Sequence, residues 1–228
     1  MKTYPILAFL FASSLAVSAE TWTSADGRTA NMTLVEVVEE GGEKVGVFRL
    51  NNGKTARLKA SQLSDESAER LGEWVDPNAP KSVFDETLEG NLLRLDGDKL
   101  APCEDATKPT KYYLFYYTAS WCGPCQRFTP SLVQFYDEKK SDEFEIILVT
   151  SDRDEASMTK YATSKKMAWP HLKLSKVGSF RSKFKHPGGG IPNLVLTDLE
   201  GNIIKSSYEG KNYMGPTVVM QHLGSLLK

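Results

Sequence analysis

Two different hydrophobic rhythms divide this chain. From Thr21 to Val75 short runs rich in Val, Leu, Thr and Phe are separated by Asp26-Gly27, Gly41-Gly42 and Asn52-Gly53, dipeptides that favour hairpin turns. The pattern predicts a small all-β barrel of about four or five antiparallel strands over residues 20–76. Ser64, followed by acids in "DESAERLGEW", supplies an N-cap for a short closing helix. A Pro-punctuated stretch, Asp76-Pro77-Asn78-Ala79-Pro80, suits neither a helix nor a strand interior, and residues 77–82 read as a linker.

From residue 83 onward the rhythm changes. "NLLRLDGDKLAP" reads as a hairpin or edge-strand entry turning at Asp96-Gly97. "KYYLFYYTAS" and "EFEIILVTSD" are apolar enough to be strands buried on both faces. Between them, Phe128, Leu132, Phe135 and Tyr136 recur at helical spacing. "DEASMTKYATSKK" places acids in its first turn and lysines in its last, as a helix dipole favours. "IPNLVLTDLEGNIIKSSYEG" reads as strand, turn and strand, and "MGPTVVMQHLGSLLK" as a terminal amphipathic helix with Pro216 near its start. Strands alternating with helices predict an α/β domain with a parallel core, its closing hairpin adding an antiparallel edge.

The first nineteen residues stand apart. Lys2, an apolar run from Ile6 to Leu15 and the small-residue close Val17-Ser18-Ala19 have the layout of a secretory signal peptide over 1–19, cleaved after Ala19. The expected location is therefore secreted or periplasmic. With 28 basic against 29 acidic residues, the charge balance points to neither nucleic acid nor an anionic membrane.

Export gives the cysteines their meaning. "TASWCGPCQRFTP" holds Cys122 and Cys125 three apart, a spacing whose disulfide closes too small a loop to stabilise much. Cys103 lies alone in "KLAPCEDATKP" and reads as an incidental thiol. Zinc would need a second ligand pair, and the remaining candidates are scattered at His171, His186 and His222. Haem attachment would need His where Gln126 stands. No metal is therefore expected, although a copper-handling thiolate pair and a permanently oxidised, non-catalytic disulfide in a binding or scaffold protein stay open as alternatives. Strand-to-helix placement favours redox chemistry, because helix N–H groups stabilise a thiolate at the first cysteine. Cys122 would attack a substrate disulfide and Cys125 would resolve the mixed disulfide. Trp121 would flank the pair as a flat apolar surface.

"YYLFYYTASWCGPCQRFTPSLVQFY" and "FEIILVTSDRDEASMTKYATSKKMAWP" resemble the thioredoxin superfamily, specifically its tryparedoxin/nucleoredoxin-like branch. The resemblance implies a thioredoxin fold over 83–228 and protein-disulfide reduction through Cys122 and Cys125, with no cofactor beyond a redox-active disulfide between them. It implies that Gly123-Pro124 marks a reductant, and that Pro130 kinks the active-site helix. It further implies that Ile191 precedes a cis Pro192 and offers its backbone to a substrate strand. Where thioredoxins carry a buried aspartate, Tyr116 stands, as in the tryparedoxin branch. Proton removal from Cys125 would then need water, a tyrosine hydroxyl or a carboxylate such as Asp152, which otherwise reads as a solvated strand-end acid or helix N-cap. Asp154 and Glu155 read as plain first-turn residues, and His186 as a solvent-facing loop residue. "WTSADGRT", "KVGVFRLNNGKTARL" and "SQLSDESAERLGEW" resemble the SH3-like domain of the Sla-homology type, which implies a protein or peptide contact through the barrel, or a mere spacer. The expected partners are protein disulfides and, outside the cytosol, a membrane-embedded electron donor.

Overall fold

The computed structural model describes residues 19–74, 80–103 and 108–227. Residues 1–18, nearly all of the expected 1–19 signal peptide, and the part of the expected linker before Pro80 lie outside the described residues. Two compact units divide between Ala79 and Pro80.

In the first unit, β1 (Glu20–Thr23), β2 (Thr29–Glu40), β3 (Glu43–Leu50) and β4 (Thr55–Lys59) form an antiparallel sheet in sequential, open order. A 3₁₀ turn at Ala60–Gln62 follows, and then α1 (Asp65–Glu73), whose Ser64 cap accepts the Ser67 N–H. The end of β1 meets the chain beyond that 3₁₀ turn through a single Ser24–Leu63 bridge. Trp22, Met32, Leu34, Phe48, Leu63 and Leu71 form the core. Gly46 lies so close to Phe48 and Leu71 that a Cβ would stand 2.5 Å from the Phe48 ring, which explains a glycine inside a strand.

The second unit is built on a seven-stranded mixed sheet. Its elements are α2 (Asp85–Leu88), β5 (Leu92–Asp96), β6 (Lys99–Pro102), β7 (Tyr112–Thr118), α3 (Gly123–Lys139), β8 (Phe144–Thr150), α4 (Glu155–Lys165), β9 (His171–Leu172), α5 (Leu174–Phe184), β10 (Asn193–Thr197), β11 (Ile203–Ser206), β12 (Tyr208–Glu209), β13 (Asn212–Tyr213) and α6 (Thr217–Leu226). The strand order is β11-β10-β7-β8-β9-β5-β6. Parallel β7 and β8 sit at the centre, paired from Tyr112↔Phe144 to Thr118↔Thr150.

Because successive side chains along a strand face opposite ways, β7 feeds two cores. Leu114 and Tyr116 join Leu132 of α3, Met158 of α4 and Val219 of α6 on one face. Tyr113, Phe115 and Tyr117 join Phe84 and Phe180 of α5 on the other. Covering both faces is what permits nearly all of β7 and β8 to be apolar. Both central strands run in the same direction, so their C-terminal ends open together, and the cysteine motif follows the end of β7. Among the described residues no helix is long and apolar enough to cross a membrane.

Candidate active site

Cys122 is the N-cap of α3. Its Sγ accepts the Cys125 N–H at 3.2 Å, and its carbonyl accepts the Gln126 N–H at 3.0 Å. The two sulfurs are joined as a disulfide. Gln126 returns its side-chain amide to the Ser120 carbonyl at 2.6 Å, tying the turn to the helix it starts. Gly123 and Pro124 occupy the first helical turn, where a missing Pro N–H costs nothing. On reduction, the same helix N–H would face a thiolate at Cys122.

The two sulfurs differ in access: Cys122 retains 5% of its surface and Cys125 none. Trp121, 66% exposed, stands out beside them. Ile191 packs against the pair, with its carbonyl oxygen 3.7 Å from Cys122 Sγ, and the Ile191–Pro192 peptide is cis. Pro130 lies inside α3. Cys103 is half-buried against the second core.

Tyr116 is fully buried, its hydroxyl 2.9 Å from Thr129 Oγ1, which donates to the Cys125 carbonyl at 2.8 Å. Burial pushes the Tyr116 hydroxyl well above the ordinary tyrosine range. It therefore remains a protonated member of a hydroxyl cluster beneath the second cysteine and is no base for it near neutral pH.

Three expectations for the surrounding residues are corrected. Asp152 is not a solvated strand-end acid. It is buried, with Oδ1 accepting from both the N–H and the hydroxyl of Ser120 at 2.9 and 2.7 Å, and Oδ2 accepting from Thr150 at 3.0 Å. A carboxylate here fixes the residue that leads into Trp121. Nor is Asp152 the cap of α4: that role belongs to Asp154, whose Oδ1 accepts the Ser157 N–H at 2.7 Å, holding the Asp154 carboxyl below its usual range. Asp152→Asn should cost about 1–3 kcal/mol, since one of its buried partners loses an acceptor. Urea unfolding of the oxidised chain measures this, and a change under about 0.5 kcal/mol would deny the bracing role.

His186 is the third correction. Its ring lies among Phe115, Phe180 and Tyr117, with centroids 4.8, 5.8 and 5.9 Å away, and Nδ1 shares a 2.7 Å hydrogen bond with the Tyr117 hydroxyl. Burial pushes its pKa down to about 4, and does the same to fully buried His171. An unfolded chain protonates both near 6.5, so the folded state is fully favoured above that pH. Stability should fall as pH drops from 6.5 towards 4, by on the order of 3 kcal/mol for each histidine. Urea midpoints across that window test this, and His186→Phe should remove one histidine's share of the slope.

Residues 110–203 match the family model described as "Thioredoxin-like". Residues 110–203 form a thioredoxin-like domain. The chain is 39% identical over 123 residues to probable nucleoredoxin 1 of Arabidopsis thaliana, covering 52% of this chain and 20% of that protein. It is 35% identical to nucleoredoxin of Xenopus laevis, covering 56% of this chain and 30% of the other. Tryparedoxin of Trypanosoma brucei brucei is 38% identical over 96 residues, 41% of this chain and 65% of that protein. Among solved structures, tryparedoxin from Trypanosoma brucei matches with a TM-score of 0.43 and 28% identity over 54% of this chain and 85% of the other. The matched segments thus span under a third of the nucleoredoxins and about two thirds of the tryparedoxin. The thioredoxin-like domain contains every residue of the cysteine site described above, and the first unit lies outside the match.

Proposed function

We propose that the chain is an exported thiol-disulfide oxidoreductase that reduces protein disulfides. The observation that carries this reading is the N-cap position of Cys122, whose sulfur meets the Cys125 N–H at the start of α3 beside the Ile191 carbonyl. The likeness to nucleoredoxins and tryparedoxins supports a thiol-disulfide redox role.

In the proposed cycle the Cys122 thiolate attacks one sulfur of a client disulfide. The client S–S bond breaks, a mixed disulfide forms, and the other client sulfur leaves as a thiolate that takes up a proton. Cys125, once deprotonated, attacks Cys122 Sγ and releases the second client thiol. The client gains two electrons and the chain ends as the Cys122–Cys125 disulfide. A dithiol donor must restore it, and export makes a membrane-embedded donor the fitting source. Beyond the disulfide itself, the reaction uses no cofactor.

The first unit is assigned as an SH3-like domain of the Sla-homology type that contacts protein or peptide. Its four strands, the 3₁₀ turn and the Ser24–Leu63 bridge support that assignment. The test of the whole reading is insulin-disulfide reduction with dithiothreitol as donor, alongside titration of the pair in glutathione buffers. Catalysed insulin precipitation and a potential below about −200 mV are expected, closer to the thioredoxin value than to that of disulfide oxidants. A pair that stays oxidised in those buffers, with no catalysis, would instead make the chain a scaffold with an inert bond.

A further inference from the structure

We propose that Tyr208 and Tyr213, on the small hairpin of β12 and β13, are positioning residues that hold the backbone of Ile191 ready to pair with the extended segment of a client disulfide. This rests on the protein-disulfide reductase reading and adds to it the part of the fold that presets the client-binding edge.

Ile191 sits between two anchored neighbours. Ahead of it, the Gly190 N–H donates to the Tyr208 hydroxyl at 3.2 Å. After it, the Tyr213 hydroxyl donates to the Pro192 carbonyl at 2.8 Å. The two rings lie 5.0 Å apart and face the same loop. The loop is shaped to receive them: a Cβ on Gly188 would come within 2.1 Å of the Tyr208 ring, and one on Gly190 within 2.5 Å of its hydroxyl. Gly188 also has a φ of +88°, which L side chains rarely adopt. Gly188 and Gly190 thus make room for a tyrosine.

The hairpin has a firm footing. At its root Ser207 exchanges bonds with β10: its N–H donates to the Leu194 carbonyl at 2.9 Å, and its hydroxyl accepts the Leu194 N–H at 2.8 Å. The Met214 N–H closes back onto the Ser207 carbonyl at 2.8 Å. A further tie runs from the Asn193 side-chain amide to the Pro187 carbonyl at 2.9 Å. With both neighbours held, Ile191 is left as the exception. Its N–H has no hydrogen-bond partner among the described residues, while its carbonyl faces Cys122 Sγ. One free donor and one acceptor on a single residue are the pair that an added strand uses. Fixing them beforehand reduces the ordering cost of client binding.

Tyr213→Phe keeps the ring and deletes only the bond to Pro192. With insulin as client and dithiothreitol as donor, KM should rise about three- to tenfold, the loss expected of one hydrogen bond, with kcat unchanged. Reduction of bis(2-hydroxyethyl) disulfide, too small to pair as a strand, should proceed at the wild-type rate. Tyr208→Phe should repeat the pattern, and thermal melts of both variants check that the fold is kept. Equal losses on insulin and on the small disulfide would make the tyrosines merely structural, and an unchanged insulin KM in both variants would also overturn the proposal. A wild-type chain inactive on insulin would instead sink the reductase reading on which it stands.

Discussion

Cys122→Ser should lower insulin reduction by about three orders of magnitude or more, the scale of loss when a nucleophile is removed. Cys125→Ser should behave differently. Its Cys122 thiol still opens a client disulfide, but no second thiol follows to release the product, so intact-mass analysis should find covalent adducts on Cys122. The asymmetry follows from position: Cys122 lies at the helix mouth with a little surface open, and Cys125 is enclosed one turn further on. Adducts of equal yield in both variants would contradict the assignment of attacker and resolver. Adducts absent from Cys125→Ser, with the wild type active, would remove Cys122 as the point of attack.

The second large effect concerns the fold. Phe84→Ala should destabilise the protein by about 3–5 kcal/mol, the usual cost of deleting a buried phenylalanine and leaving its cavity. Phe84 is fully buried. Its ring lies 4.7 Å from that of Phe115, 4.6 Å from Phe184 and 5.3 Å from Tyr113. Few of these neighbours can move into the gap, because Phe115 and Tyr113 belong to the central strand. The same cluster holds His186, 6.3 Å from Phe84 between ring centroids, so the variant should also loosen the start of the loop that leads to Ile191. Urea unfolding gives the free energy, and a loss below about 1 kcal/mol would mean that the aromatic cluster repacks.

The central strands were legible because burial on both faces leaves unbroken apolar runs, as in Tyr112–Thr118 and Phe144–Thr150. Turn glycines in the first unit were legible for a local reason: Gly27, Gly41, Gly42 and Gly53 all have positive φ. The cysteine motif carries its own setting, a strand before it and a helix after it. What escaped was whatever distant residues decide. His186 sits in the polar-looking "HPGGG", yet aromatic residues from β7 and α5 enclose it. Asp152 and Asp154 are two carboxylates of one short run, and only the approach of Ser120 separates the buried brace from the cap. α5 went unassigned, since "LSKVGSFRSKF" buries only Phe180 fully and shows little periodicity. The strands of the Tyr208–Tyr213 hairpin are two residues each, too brief for any alternation to register.

Trp121 has a spectroscopic consequence. Its indole is two-thirds exposed while Trp22 and Trp169 are enclosed, and it adjoins the Cys122–Cys125 bond in sequence. Disulfides quench indole emission at close range, so opening that bond should brighten a solvent-shifted component of the fluorescence. The chain therefore carries an intrinsic optical gauge of its own oxidation state, readable in real time without a dye.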